Sequence, residues 1–277
     1  MKNSIEVTES FLHAYHLENP SCTPQAFVPG KTKDGATSYD VLITMIGGAE
    51  GRILDLACGD GFLLSRMVAW GREPEQLFGL DMSDGELKVA RERTDLSAAQ
   101  LTSGNARALP YVADSFSAVT CHMALMLMPQ VDDVLFEIHR VLEPGGIFCA
   151  VVGGSSITGP SHPIFYEKLD ELLKLEGKEN LGGLGDDRLR TLDETKSLFS
   201  SCRFGSTSIE DIDFFFKGEP DQLADYFMLS YNPFLLSPAS QATLRDSLIQ
   251  KFDGLREPDG LVHHRRSLRF ITSRNES

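Results

Sequence analysis

Four residues between positions 55 and 81 have the types and spacing to grip a small charged organic molecule: Asp55, Gly59, Gly61 and Asp81. Two glycines one residue apart let the backbone turn sharply. They also bring the N–H groups of a helix start close to a ligand, where a side chain would stand in the way. Asp81 follows Gly61 by about 20 residues, the spacing at which a carboxylate at the next strand end can accept hydrogen bonds from both hydroxyls of a ribose. The plainer role for Asp81 is to cap the helix behind it. Asp55, just ahead of the glycines, could orient the turn or meet an ammonium group.

These residues need a strand, a tight turn and a helix to place them. Ile53, Leu54 and Leu56 make an apolar run short enough for a buried strand, the glycines break it, and Phe62, Leu63, Leu64 and Met67 resume at helical spacing. Residues 76–81 read as a second strand, and Ser83 with Glu86 has the S-x-x-E pattern that caps the next helix. A nicotinamide or flavin site is the rival use of such a turn. Its G-x-G-x-x-G pattern requires a third glycine at position 64, where Leu64 stands.

The run Asp55-Leu56-Ala57-Cys58-Gly59-Asp60-Gly61 resembles the D-x-G-x-G-x-G loop of class I S-adenosylmethionine-dependent methyltransferases of the small-molecule type, methyltransferase type 11-like, with Ala57 replacing the first glycine. The resemblance continues at Phe78-Gly79-Leu80-Asp81-Met82-Ser83, at Gly104-Asn105-Ala106-Arg107-Ala108-Leu109-Pro110-Tyr111 and at Arg140-Val141-Leu142-Glu143-Pro144-Gly145-Gly146. It covers about residues 52–152. It implies an α/β, Rossmann-like fold, with a seven-stranded, mostly parallel sheet and helices on both faces. It also implies S-adenosyl-L-methionine as cofactor, with Asp55, Ala57, Gly59, Gly61, Asp81, Met82, Asn105, Ala106 and Cys121 around it. Many family members have aspartate where Asn105 stands, and its side-chain oxygen can still accept from the adenine amino group. Cys121 is expected to bring its backbone near the amino group of the methionine part. His122 is then turned toward the acceptor as the candidate catalytic side chain, against the ordinary reading in which it merely shapes the pocket.

The N-terminal segment of such enzymes commonly folds over the cofactor as a lid. That makes Tyr39 a candidate for the cofactor wall, and Tyr15 and His16 candidates for the acceptor wall. Arg107 is expected to be a solvated loop charge. No metal is required, and the sequence shows no H-x-x-E-H run or Cys/His cluster at ligand spacing.

The 277 residues read as one domain: a lid segment, 1–39, a cofactor-binding core, 40–152, and a substrate-side half, 153–277, with a helical cap at 219–258. In the lid, Thr8 or Ser10 could cap a short helix bearing Phe11, Leu12 and Tyr15, followed by an irregular proline-rich stretch. Further strands are expected at 99–103, 115–122 and 147–152. A helix is expected at 131–142, with charges that complement its dipole and Pro144-Gly145-Gly146 at its end. Beyond residue 152, a helix begins at Pro163, Gly182-Gly183-x-Gly185 suggests a mobile segment, and Thr191 with Glu194 caps another helix. Strands at 209–216 and 261–272 finish the sheet. The insert before the last strand carries Tyr226, Phe227, Met228, Tyr231, Phe234, Leu235 and Leu236. It reads as a cap whose Tyr226 and Tyr231 meet a planar or apolar acceptor. The alternative is that the cluster is ordinary core or a subunit contact.

A formal net charge of -14 argues against a nucleic-acid acceptor, because neutralising phosphates takes a basic surface. His263-His264-Arg265-Arg266 is locally basic and reads as a solvated strand face. Five cysteines without a C-x-x-C pair read as reduced thiols of a cytoplasmic protein. Neither a signal-peptide pattern nor an apolar run of roughly 18 residues is present, so no membrane role is expected. The expected activity is methyl transfer from S-adenosylmethionine to an oxygen, nitrogen or carbon of a small-molecule acceptor, a metabolite or natural-product intermediate. A protein or RNA acceptor and a non-catalytic cofactor-binding protein are the alternatives, and the oligomeric state is not readable.

Overall fold

The computed structural model describes residues 4–181 and 184–276. Its strands are β1 (Ile53–Leu56), β2 (Leu77–Asp81), β3 (Gln100–Ser103), β4 (Phe116–His122), β5 (Leu142–Thr158), β6 (Thr207–Gly218) and β7 (Val262–Arg274). They form one seven-stranded sheet in the order β3-β2-β1-β4-β5-β7-β6. β1 to β5 pair in parallel, and β7 runs antiparallel between β5 and β6. The chain order reverses between β1 and β4. Loops leaving their carboxyl ends diverge there and open a crevice, the usual ligand position in a sheet of this kind.

The helices are α1 (Ser4–Glu18), α2 (Cys22–Phe27), α3 (Ser38–Ile46), α4 (Phe62–Ala69), α5 (Asp84–Glu92), α6 (Val131–Val141), α7 (Ser161–Leu175), α8 (Leu192–Ser201), α9 (Pro220–Met228) and α10 (Pro238–Asp253). Side chains alternate across the sheet with period two. Ile53 joins Leu42, Ile46, Leu64, Met67 and Leu87 of α3 to α5 on one face, while Leu54 and Leu56 join Val134, Leu135, Ile138 and Leu198 of α6 and α8 on the other. With both faces covered, β1, β2 and β4 are buried along their whole length, whereas the edge strand β3 is not.

Several expected boundaries shift. α1 begins at Ser4, so Thr8 and Ser10 lie inside it and not at its cap. The stretch expected to be irregular contains α2, with Pro24 in the first turn, where a missing N–H costs little. Pro144-Gly145-Gly146 does not end a helix: α6 stops at Val141, and the pairing jumps from Phe116 with Leu142 to Ala118 with Ile147, so the three residues fill a bulge in β5. Gly182 and Gly183 lie outside the described residues. The end of that run is tied down, because the N–H of Asp186 donates to the Met126 carbonyl at 3.2 Å.

The insert also differs from the expectation. α9 and α10 pack on α7 around a core of their own that includes Phe165, Leu169, Phe227, Leu244, Leu248 and Phe252. The Phe165 and Phe227 rings stack at 4.9 Å. Much of its apolar content is therefore interior to a small helical layer and does not roof a pocket.

Candidate active site

A cavity opens at the carboxyl ends of β1, β2 and β4, beneath the N-terminal helices. Among the expected site residues, Asp55, Ala57, Gly59, Asp81, Met82, Asn105, Ala106, His122, His16, Tyr39 and Tyr231 line it. Gly61, Cys121, Tyr15 and Tyr226 are not part of its wall.

The β1–α4 turn is held by Asp81. Its Oδ2 accepts from the Gly59 N–H at 2.8 Å and its Oδ1 from the Ser83 N–H at 2.8 Å. The carboxylate thus braces the glycine turn and the start of α5 together, and each oxygen retains acceptor capacity for a ligand hydroxyl. The capping and ribose-binding readings of Asp81 are compatible. Burial raises its pKa, against the lowering effect of the two backbone bonds.

Ala57 takes φ 57°, in the left-handed region that the family fills with glycine, at a cost of roughly 1–2 kcal/mol. Gly61 also has positive φ, and a Cβ there would lie 2.7 Å from Leu96 Cδ1 and 3.2 Å from Ala90 Cβ. Its need for glycine comes from packing against the protein and not from the approach of a ligand, which corrects the expectation. Asp55 is buried and accepts from the Thr120 hydroxyl at 2.9 Å. Burial, aided by Asp81 and Asp60, pushes its carboxyl up to about 8 despite that bond. An arriving cation would favour the carboxylate form. A concave site with two buried carboxyls and a glycine turn suits a ribose-bearing cation such as S-adenosylmethionine.

The third loop departs from the expectation. Asn105 Oδ1, the atom assigned to the adenine amine, accepts from the Arg107 N–H at 2.9 Å and from its Nε at 3.4 Å. Arg107 is not a solvated charge: it lines the cavity and its Nη2 donates to Glu9 of α1 at 2.6 Å.

Glu86 is a residue whose part sequence reasoning missed. The Ser83 hydroxyl does accept from the Glu86 N–H at 3.4 Å, but the Glu86 carboxylate does not close the capping box. One oxygen pairs with His16 Nδ1 at 2.9 Å and the other accepts from the Ser21 N–H at 3.0 Å. The N-terminal segment is thereby latched to α5. Gly85 permits the approach, since a Cβ there would lie 3.2 Å from the Leu17 Cα. Burial disfavours the His16 charge, but the bonds with Cys22 and Glu86 outweigh it and raise the ring to about 10. The donor atoms of His16, Cys22 and Glu86 lie within 4.8 Å of one another, a metal-compatible cluster that no sequence spacing announces.

On the far wall, His122 Nε2 bonds the buried Ser38 hydroxyl at 2.8 Å, and its ring stacks on Tyr39 at 3.9 Å. Nδ1 is buried without a hydrogen-bond partner. Burial first, then the Arg266 charge, lowers the ring to about 3, so the imidazole is neutral. Tyr15 stands behind this wall. Its hydroxyl donates to the Leu229 carbonyl at 2.7 Å and its ring meets Tyr231 at 4.7 Å, fastening α1 to the insert. Tyr231 is the insert residue that reaches the cavity, where its hydroxyl meets His16 Nε2 at 3.2 Å. Cys121 is fully buried in the β4 floor, and Tyr226 lines a second, smaller cavity.

The sheet order and the crevice are those of the class I methyltransferase fold. Residues 54–150 match the family described as "Methyltransferase domain", Methyltransf_11, and that segment is a methyltransferase domain of the S-adenosylmethionine-dependent class. The chain is 39% identical over 102 residues to the demethylmenaquinone methyltransferase of Symbiobacterium thermophilum; the match covers 35% of this chain and 40% of that protein. The chain thus spans about two fifths of the length of that curated relative. Among solved structures, the YcgJ protein of Bacillus subtilis is similar with TM-score 0.55 and 19% identity, covering 87% of this chain and 98% of that one. Phosphoethanolamine N-methyltransferase 2 of Haemonchus contortus, in complex with phosphomonomethylethanolamine and S-adenosylhomocysteine, has TM-score 0.54 and 16% identity, covering 86% of this chain and 52% of that one. At such identities the likeness concerns the fold.

Proposed function

We propose that the protein transfers a methyl group from S-adenosylmethionine to an oxygen, nitrogen or carbon of a small-molecule acceptor. The observation that carries this reading is the joint between Asp81 and the Gly59 turn, which sets a buried carboxylate at the edge of a covered cavity. Bound S-adenosylmethionine supplies an electrophilic methyl group, which the acceptor's nucleophilic atom takes as the carbon–sulfur bond breaks. In this reading Asp81 holds the ribose hydroxyls, Asp55 faces the ammonium group, and Met82 and Ala106 flank the adenine. Tyr39 and His122 form the wall opposite, and the acceptor lies against the His122 ring.

Alignment is the main task of the protein. Holding two reactants in near-attack geometry contributes roughly 7–11 kcal/mol, against a factor of about 10² to 10⁴ for a general base. A ring held near 3 is a weak base, so His122 acts chiefly by shaping the wall that positions the acceptor. Residues 1–39 serve as lid, 40–152 as the cofactor half and 153–277 as the acceptor-side half. A small acceptor, and neither nucleic acid nor membrane, fits a cavity closed by a lid. No helix among the described residues is long and apolar enough to cross a membrane, and five unpaired thiols suit a cytoplasmic setting.

The test is incubation with methyl-labelled S-adenosylmethionine and fractionated cell extract, followed by mass spectrometry of the labelled product. Label in the small-molecule fraction with equal formation of S-adenosylhomocysteine supports the reading. Label confined to protein or RNA overturns it.

A further inference from the structure

The basic run on β7 does not form one solvated face. His263 is exposed and pairs with Asp259 at 3.0 Å, and Arg265 pairs with Asp213 at 3.2 Å. His264 and Arg266 turn the other way, as alternation along a strand requires, and line a second, small pocket with Phe27, Phe214, Phe216 and Tyr226.

Arg266 is half-buried. Nη1 donates to the Tyr226 hydroxyl at 2.7 Å, while Nε is buried without a hydrogen-bond partner. Among the described residues no carboxylate forms an ion pair with it. Its neighbours offer no counter-charge either: His122, His162 and His264 are held neutral by burial and by Arg266 itself, and burial holds Tyr166 as the neutral phenol. A guanidinium left this way lacks the partner that buried cations ordinarily have, and its free fork matches a carboxylate.

Two rings in contact stand between the cavities: His122, which lines the first, and Phe27, which lines the second. Phe27, the last residue of α2 in the lid, lies over the Arg266 guanidinium at 4.7 Å and meets the His122 ring edge-on at 5.6 Å. A half-buried side chain at the end of a six-residue helix is thus what separates the His122 wall from the cation.

We propose that Arg266 and Tyr226 form the subsite for a carboxylate carried by the methyl acceptor, with Phe27 as the partition that turns aside when the acceptor enters. The acceptor class is then a small carboxylic acid whose nucleophile and carboxylate are separated by roughly the span of one aromatic ring. The nucleophile lies at His122 and the carboxylate at Arg266. This rests on the methyl-transfer reading above, and extends it to the chemistry of the acceptor.

The test uses the full chain saturated with S-adenosylhomocysteine. Calorimetry compares 4-hydroxybenzoate, 4-hydroxyphenylacetate and 3-(4-hydroxyphenyl)propionate with their primary amides. At least one acid should bind tenfold or more tighter than its amide. Arg266→Gln should abolish that preference, Arg266→Lys should restore part of it, and all variants should keep wild-type affinity for S-adenosylhomocysteine. Phe27→Ala should tighten acid binding severalfold, an outcome that a misfolded variant cannot mimic. Equal affinity for acid and amide, no binding of any acid, or a preference that survives Arg266→Gln overturns the proposal. Failure to bind S-adenosylhomocysteine at all would instead sink the methyl-transfer reading.

Discussion

The two walls of the main cavity are built differently. The wall proposed to hold the cofactor comes largely from three loops, residues 55–63, 80–86 and 104–107, each following its own strand. The opposite wall is gathered from Leu12 and His16 of α1, Tyr39 of α3, His122 after β4 and Tyr231 of the insert. One wall is a set of local turns; the other exists only when distant elements dock. Mutations in the first should act on cofactor affinity, and mutations in the second on turnover or on lid closure.

The largest effect is expected at Asp81. Asp81→Ala removes the proposed ribose acceptor and the brace on the Gly59 N–H. Two charge-assisted hydrogen bonds at about 1.5–3 kcal/mol each correspond to a loss of about 100-fold or more in cofactor affinity. Calorimetry with S-adenosylhomocysteine checks it, and wild-type affinity would erase the distinction between the walls. Next is His122→Ala, expected to lower turnover about tenfold or more while cofactor affinity stays nearly unchanged. An unchanged rate removes His122 from the site.

A smaller effect is expected at the latch. Glu86→Gln should weaken cofactor binding about fivefold and speed amide exchange in α1. The raised His16 pKa fixes the sign: the latch contributes fully below the unfolded value of about 6.5 and is lost as pH rises through about 10. Exchange in α1, corrected for intrinsic rate, should therefore stay slow at pH 7 and quicken near pH 10; the reverse order would refute the latch. The smallest effect is a gain. Ala57→Gly relieves the left-handed backbone and should stabilise the fold by about 0.5–1 kcal/mol, raising Tm by about 1–4 °C. A lowered Tm would mean that the turn does not hold that strain.

Much of the cofactor half was legible in the sequence because strand periodicity, glycine placement and acidic spacing are properties of short stretches. β1, β2 and the turn between them lie where the pattern of residues 52–81 puts them, and Leu64 is a fully buried core residue of α4. The acceptor side was less legible. The density of aromatics in 219–258 signals burial, but it does not say against what: Phe227 went to the α7 layer, Tyr231 to the main cavity and Tyr226 to the second. The S-x-x-E pattern at Ser83 signals a cap, and Glu86 was taken instead by His16 and Ser21, which no local rule relates to it.

What the sequence determined by itself is the glycine turn, the carboxylate at the end of the next strand and the sheet that carries them, since backbone sterics and side-chain alternation act within a few residues. Only the tertiary structure decided that Glu86 latches the lid, that Tyr15 serves the seam and not the pocket, and that Arg266 turns inward beneath Phe27. Those outcomes depend on which surfaces meet across 60 to 250 residues of chain, and on which buried charge finds a partner once they do.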